Sequence, residues 1–284
     1  MFFDPSAFLA QSQPAPALQF IDNLARTPLS QVLIFVAVCT LVRLAVFPKL
    51  TKTAPHMRYG SYAIFKFLNE AMDAFVYAGV IVFLVIRPFA VQTFFIPSES
   101  METTLMTNDF IIANKFIYRF QEPQAGDITV FRPPARGILD GRSQEDYIKR
   151  CVGTPGQVIE IRQGRLYSDG KMVDEPYVHN GLSEVDFKLV NDNGTYIPCI
   201  ILPDGQINTG GSAKEYLVSP NDLDRQQTLR NLPPAAVPKG SLLMMGDNRN
   251  RSFDGRFWGL ADRRNLIGKA EFIWLPISRM RQTR

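Results

Sequence analysis

"QVIEIRQGRLYSDGKMV", Gln157 to Val173, is a run of β-branched and other apolar residues broken by Gly and Asp. Asp169-Gly170, between "GRLY" and "MV", suits the positive φ angles of a type I′ turn, so the chain is expected to fold back here as a β-hairpin. Upstream, "DFIIANKF", "GDITVFRPP" and "YIKRCVG" are strand-like runs, and "SLLMMGD" and "LIGKAEFIWLP" downstream are of the same kind. From Pro97 onward the pattern predicts a mainly β domain of antiparallel sheets. Gly181 to Pro238 is longer, more polar and less periodic, with "NDNG", "TGG" and "LPPAAVPKG", and reads as an inserted subdomain or extended loops.

With 284 residues, 46% hydrophobic and 20% charged, the chain has the bulk make-up of one substantial soluble domain plus extra segments. A formal net charge of +4 without a long Lys/Arg run gives no basis for a nucleic-acid groove. Cys39, Cys151 and Cys199 lack metal-ligand spacing. Cys151 and Cys199 are read as two buried thiols, a disulfide being the alternative in an oxidising compartment.

The apolar residues are unevenly placed. "LSQVLIFVAVCTLVRLAVF", Leu29 to Phe47, holds one charge, Arg43, near its end, and is predicted to span a membrane. It shows no small-residue cleavage site behind a basic start, the mark of a removable leader. "AFVYAGVIVFLVI", Ala74 to Ile86, is uncharged but shorter than the ~20 residues a bilayer needs. Apolar flanks, Phe67, Leu68 and Phe89 to Val91, extend it to a second predicted span over 68–90, with Asp73 and Arg87 placed near opposite interfaces. Lys49, Lys52, Arg58 and Lys66 lie between the runs, against Arg26 alone before them, which puts the 48–67 loop in the cytoplasm and both termini outside. Residues 1–28, including "AQSQPAPALQ", read as an extracytoplasmic tail, and 91–284 as the outer domain.

Only two histidines occur, His56 in the predicted cytoplasmic loop and His179 after "DEPYV", so a Ser-His-Asp triad has little support. No His/Cys/Asp cluster stands at metal-ligand spacing, and no metal or other cofactor is expected. That leaves a serine activated by another base, for which lysine is the reasonable substitute. A free lysine amine titrates near ~10.4, and bringing it to about 7 needs roughly 4–5 kcal/mol of desolvation, which burial supplies. Lys149 in "DYIKRCVGTPGQVIEI" fits, sharing a strand face with Tyr147 and Cys151 while Arg150 faces the other way. Lys115, Lys171 and Lys239 lie beside polar or turn residues. Taken alone, Lys149 also reads as a solvated strand lysine.

Four blocks, "IPSESMETTL", "GDITVF", "YIKRCVGTPGQ" and "GDNRNRSFDGRFWG", follow in this order behind the predicted spans. Together they resemble the bacterial type I signal peptidases, membrane-bound Ser/Lys endopeptidases that remove signal peptides from secreted proteins. The resemblance covers the second span and most of the outer domain, but not the tail or 181–238. It implies Ser100 as nucleophile and Lys149 as general base. Ser98, two residues from Ser100 on the same face of an extended segment, is implied as an oxyanion-hole hydroxyl beside the Ser100 backbone N–H, with Pro97 stiffening the approach. Ser252 matches the position whose hydroxyl holds the lysine amine, and Asp254 with Arg256 a supporting ion pair, the rest of that block serving tight turns.

Phe94, Ile96, Val130 and Ile148 match the walls of shallow pockets that admit small residues one and three positions before the cut, the Ala-x-Ala preference; taken alone, all four read as core. Bulky walls there reject large side chains sterically. The implied partners are exported preproteins, whose extended segment adds to a sheet edge, the phospholipid membrane, and the neighbourhood of the secretion translocon. "FFIP" and "FWGL" are candidate membrane contacts that read equally as core, and the implied location is the inner (plasma) membrane with the catalytic domain on the periplasmic side. The chain departs from the pattern at Thr103, where proline is usual and the turn after the nucleophile is expected to loosen, and at Cys151, where an apolar residue is expected. Three rivals remain: a pilus or conjugation maturation peptidase with the same dyad, a soluble self-cleaving repressor, and a membrane-tethered β-domain without catalysis. Two spans and no DNA-binding pattern speak against the repressor, and an intact Ser100, Lys149 and Ser252 set against the binding domain.

Overall fold

The computed structural model describes residues 27–53, 60–86, 91–138, 146–203, 205–209 and 222–283, with Gln19 and Asn23. The N-terminal tail reading, His56, Arg58 and Arg87 fall outside the described residues. The chain divides into a helical unit ending at Gln92 and a β unit from Thr93 onward.

In the helical unit, α1 (Leu29–Lys52) is followed by α2 (Ser61–Val80), which runs on as a π-helical segment, Ile81–Ile86. At 1.5 Å per residue α1 is about 36 Å long, enough for a hydrocarbon core of ~30 Å. Among the described residues it is the one helix long and apolar enough to cross a membrane. The second predicted span takes a different form: its helix begins at Ser61, ahead of the expected start at 68, and so includes Lys66, Glu70 and Asp73. Asp73 pairs with Arg43 of α1 at 2.5 Å. Phe35 meets Phe75 edge-on at 6.0 Å, and Gly79 lies so close to Val36 that a Cβ would sit 3.0 Å from its Cγ2. The two helices therefore pack side by side.

In the β unit, β1 (Val91–Phe95), β2 (Phe110–Asn114), β3 (Ile128–Phe131) and β4 (Tyr147–Gly153) come first. Then follow β5 (Ile159–Arg162), β6 (Arg165–Ser168), β7 (Lys171–Met172), β8 (Asp186–Asp192), β9 (Thr195–Ile201) and β10 (Ile207–Asn208). After helix α3 (Leu223–Asn231) come β11 (Ser241–Met245), helix α4 (Gly255–Trp258), β12 (Ala261–Asp262), β13 (Leu266–Leu275) and β14 (Arg281–Gln282). One sheet has the order β1-β2-β13-β3-β4-β11-β12, with β14 beside β13; the other has the order β10-β9-β8-β5-β6-β7.

The Gln157–Val173 stretch forms the β5-β6-β7 meander. Asp169 and Gly170 have φ of 50° and 78°, as the hairpin reading requires. A second two-residue turn, Gln163-Gly164, has φ of 49° and 75°; the sequence hides it because Gln rarely opens such a turn. The described part of the 181–238 stretch holds β8, β9, β10 and α3. Its β8-β9 hairpin joins the second sheet through the pairing of Ile161 with Phe187, and Leu229 of α3 packs with Val190, Ile197 and Cys199.

The main core lies between the sheets, where Ile161, Leu166 and Phe187 meet Phe131, Leu243 and Trp258. "FWGL" therefore belongs to the core, with Phe257 and Trp258 only 5% and 2% exposed; Phe95 and Ile96 of "FFIP" are buried too. Exposed aromatic surface lies instead at Phe116 and Phe120, whose rings are 4.7 Å apart. Cys151 and Cys199 are buried free thiols.

Candidate active site

The segment that leaves β1 turns through a single 3-10 turn, Glu99–Met101, and this turn carries Ser100. Two anchors hold it. Met101 and Leu105 are buried in an apolar cluster, and Asn248 donates its backbone N–H to the Ser100 carbonyl (3.2 Å) and its side-chain amide to the Glu99 carbonyl (3.1 Å). Lys149 lies within β4, opposite Thr129 of β3, and is 6% exposed. Its Nζ donates to Ser100 Oγ at 2.6 Å, and Ser98 Oγ lies 3.3 Å from the same oxygen. Three side chains named from the sequence thus converge on one point.

Electrostatics suit the amine to proton transfer. Burial pulls Lys149 down to about 8, against the opposing pull of Asp254 and Asp247, while Arg256 adds to the lowering. At pH 7 roughly a tenth of such an amine is neutral, against about one in 2,500 for a free lysine.

Asp254 and Arg256 form the expected pair, with Nε on Oδ1 and Nη2 on Oδ2, both at 2.9 Å, and neither residue more than 1% exposed. Burial alone would raise the Asp254 carboxyl, but the Arg256 guanidinium, helped by the Gly246 N–H and Ser252, outweighs it and holds the group below its ordinary range. Asp254 also accepts the N–H of Gly246 at 3.0 Å. Ser252 is buried beside this pair, and no hydrogen bond joins its hydroxyl to the Lys149 amine, so the implied bond is not formed here. Gly246 separates Ser252 from the Ser100 turn: a Cβ at 246 would collide with both Ser252 Oγ and the Ser100 carbonyl oxygen.

The four predicted pocket residues lie in one apolar cluster. Val130 and Ile148 are cross-strand partners and pack with Ile96, Met101 and Phe94. Ile96 and Val130 are 3% and 0% exposed, while Phe94 and Ile148 are only partly buried and present surface.

Sequence reading missed the partners behind the site. Arg150 faces away from Lys149 as alternation requires, but it is buried and forks onto Asp247. Thr104 donates to the same carboxylate at 2.5 Å, so Asp247 joins three segments instead of merely shaping a turn. Thr103 follows a cis peptide bond.

The family described as signal peptidase, peptidase S26, matches residues 68–275. The chain belongs to this family. A probable signal peptidase I-2 of Synechocystis is 32% identical to the peptidase over 71% of this chain and 71% of its own. The signal peptidase I of Pseudomonas aeruginosa is 32% identical over 68% of this chain and 67% of its own, and the signal peptidase IB of Staphylococcus aureus 30% identical over 75% and 92%. A solved signal peptidase I from Enterococcus faecalis is 26% identical, covering 52% of this peptidase and 97% of that chain with a TM-score of 0.30.

Proposed function

We propose that this peptidase removes signal peptides from exported preproteins, with Ser100 as nucleophile and Lys149 as general base. The observation that carries this reading is the 2.6 Å contact between a buried, deprotonation-prone amine and a serine hydroxyl. Neutral Lys149 takes the Ser100 proton as Oγ attacks the scissile carbonyl. The oxyanion is met by the Ser98 hydroxyl and the Ser100 backbone N–H. Collapse breaks the C–N bond, Lys149 returns its proton to the leaving amine of the mature protein, and the signal peptide stays as an ester on Ser100. Water, deprotonated by Lys149, then releases it. Phe94, Ile96, Val130 and Ile148 restrict the residues one and three before the cut to small ones, and Asp254 with Arg256 supports the lysine from behind.

In this reading both helices cross the bilayer, joined by a cytoplasmic loop, with the β domain outside. The Arg43–Asp73 pair favours it, because a charge placed among lipid chains needs a partner on the neighbouring helix. Phe116 and Phe120 serve as interfacial contacts in place of the buried "FWGL". They follow the end of β2 that lies beside the start of β1, since Ile96, past the other end of β1, pairs with Asp109.

Incubating the detergent-solubilised chain with a preprotein and sequencing the new N-terminus tests the reading. Cleavage after a small-x-small site is expected; an intact preprotein, or a cut following large side chains, would refute it.

A further inference from the structure

The Val173–Val178 segment, which leaves β7 at the edge of the second sheet, reaches the back of the site twice. Glu175 accepts from Arg249 through both oxygens, Nη1 to Oε2 at 2.9 Å and Nη2 to Oε1 at 2.5 Å, with the side chains 1% and 10% exposed. Tyr177 donates its hydroxyl to Glu175 Oε1 at 2.8 Å, and its ring lies under the Arg150 guanidinium, 3.7 Å from Cζ to centroid. Arg249 adjoins Asn248, which holds the Ser100 turn, and its Nε donates to the Gly246 carbonyl at 3.0 Å. Arg150 adjoins Lys149. The contacts close a ring: Ser100, Lys149, Arg150, Tyr177, Glu175, Arg249, Asn248 and back to Ser100.

We infer that Glu175 is a positioning residue for the reaction proposed above: its carboxylate, with the Tyr177 ring, fixes the separation of the Ser100 turn and the Lys149 strand. Without Glu175 the buried Arg249 guanidinium has lost its counter-charge, and a buried cation left so recruits water or moves. Burial lowers the Arg249 affinity for its proton, and Glu175, with Tyr177 and Asp254, more than restores it. A shift of Arg249 pulls Asn248 and Gly246 with it, and thereby the Ser100 carbonyl. The effect falls on proton transfer within the bound complex, because the ring of contacts through Glu175 ends on the Ser100 turn and Lys149 and does not include Phe94 or Ile148.

The test is steady-state preprotein cleavage by the full chain in detergent, well below each variant's melting temperature. Glu175→Gln is expected to lower kcat about 10- to 100-fold, the scale of a misplacement near 1 Å, with KM little changed. Arg249→Gln should give a similar loss, and the double variant no more than either. Tyr177→Leu should lower kcat as well, and Tyr177→Phe, which keeps the ring over Arg150, should recover most of that loss. Asp192→Asn breaks the ion pair between Arg225 of α3 and Asp192 of β8 and reports what a lost ion pair outside the ring does to kcat. Wild-type kcat in Glu175→Gln, or losses from Glu175→Gln and Arg249→Gln that multiply in the double variant, would overturn this inference alone. Failure of wild type to cleave would sink the signal-peptide reading and this inference with it.

Discussion

Arg150 grips Asp247 through two hydrogen bonds, Nε to Oδ1 at 2.8 Å and Nη2 to Oδ2 at 2.7 Å, and both side chains are almost completely buried. The pair places the residue after Lys149 against the residue before Asn248, so the base and the clamp on Ser100 are set by one contact. Removing one partner of a buried pair is costlier than the pair itself is stabilising. Asp247→Asn should therefore lower unfolding stability by about 3–5 kcal/mol, measured by denaturant titration of the full chain in detergent, and should reduce cleavage as well. Stability within 1 kcal/mol of wild type would contradict this.

Gly246 leaves no room for a methyl group between Ser252 and the Ser100 carbonyl. Gly246→Ala is expected to push the Ser100 turn away from Lys149 and to lower kcat by ~100-fold or more. A kinetic assay that finds near-wild-type turnover would show that the turn yields without consequence.

The pH dependence follows from the lysine. Only neutral Lys149 accepts a proton, so kcat/KM should rise with pH through an acid limb near 8. Asp254 favours the charged amine, and its loss leaves Arg256 as an uncompensated cation nearby. Both effects lower the Lys149 value, so the limb of Asp254→Asn should move to lower pH. A limb that stays in place or moves up would refute the electrostatic account.

Selectivity should respond to the partly exposed pocket residues. Ile148→Ala removes bulk beside Phe94 and Val130, and should raise the kcat/KM ratio for Leu over Ala one residue before the cut by about 10-fold or more. An unchanged ratio in a paired-substrate assay would move the specificity pocket elsewhere.

How much of this could be read from the residues varied with the range of the interaction. Local chemistry was legible: Asp169-Gly170 opens its hairpin, and β-branched runs become strands. The Ser100 and Lys149 positions were legible through the four blocks, although only the fold brings them to 2.6 Å. Arg150 with Asp247, and Glu175 with Arg249, were not, since residues 97 and 74 positions apart leave no periodic signal. The 181–238 stretch looked loose because its turns and polar residues mask the alternation of β8 and β9. "FWGL" stayed open between a membrane surface and the core because aromatic composition cannot separate an interface from a core.

The central claim is that Ser100 acts with Lys149. Its most direct measurement is single-turnover cleavage of a preprotein by the wild-type chain, Ser100→Ala and Lys149→Met, each shown to be folded by its melting curve. Loss of nearly all cleavage in both variants, with wild type active, is the predicted result. Lys149→Met cutting as fast as wild type would contradict it.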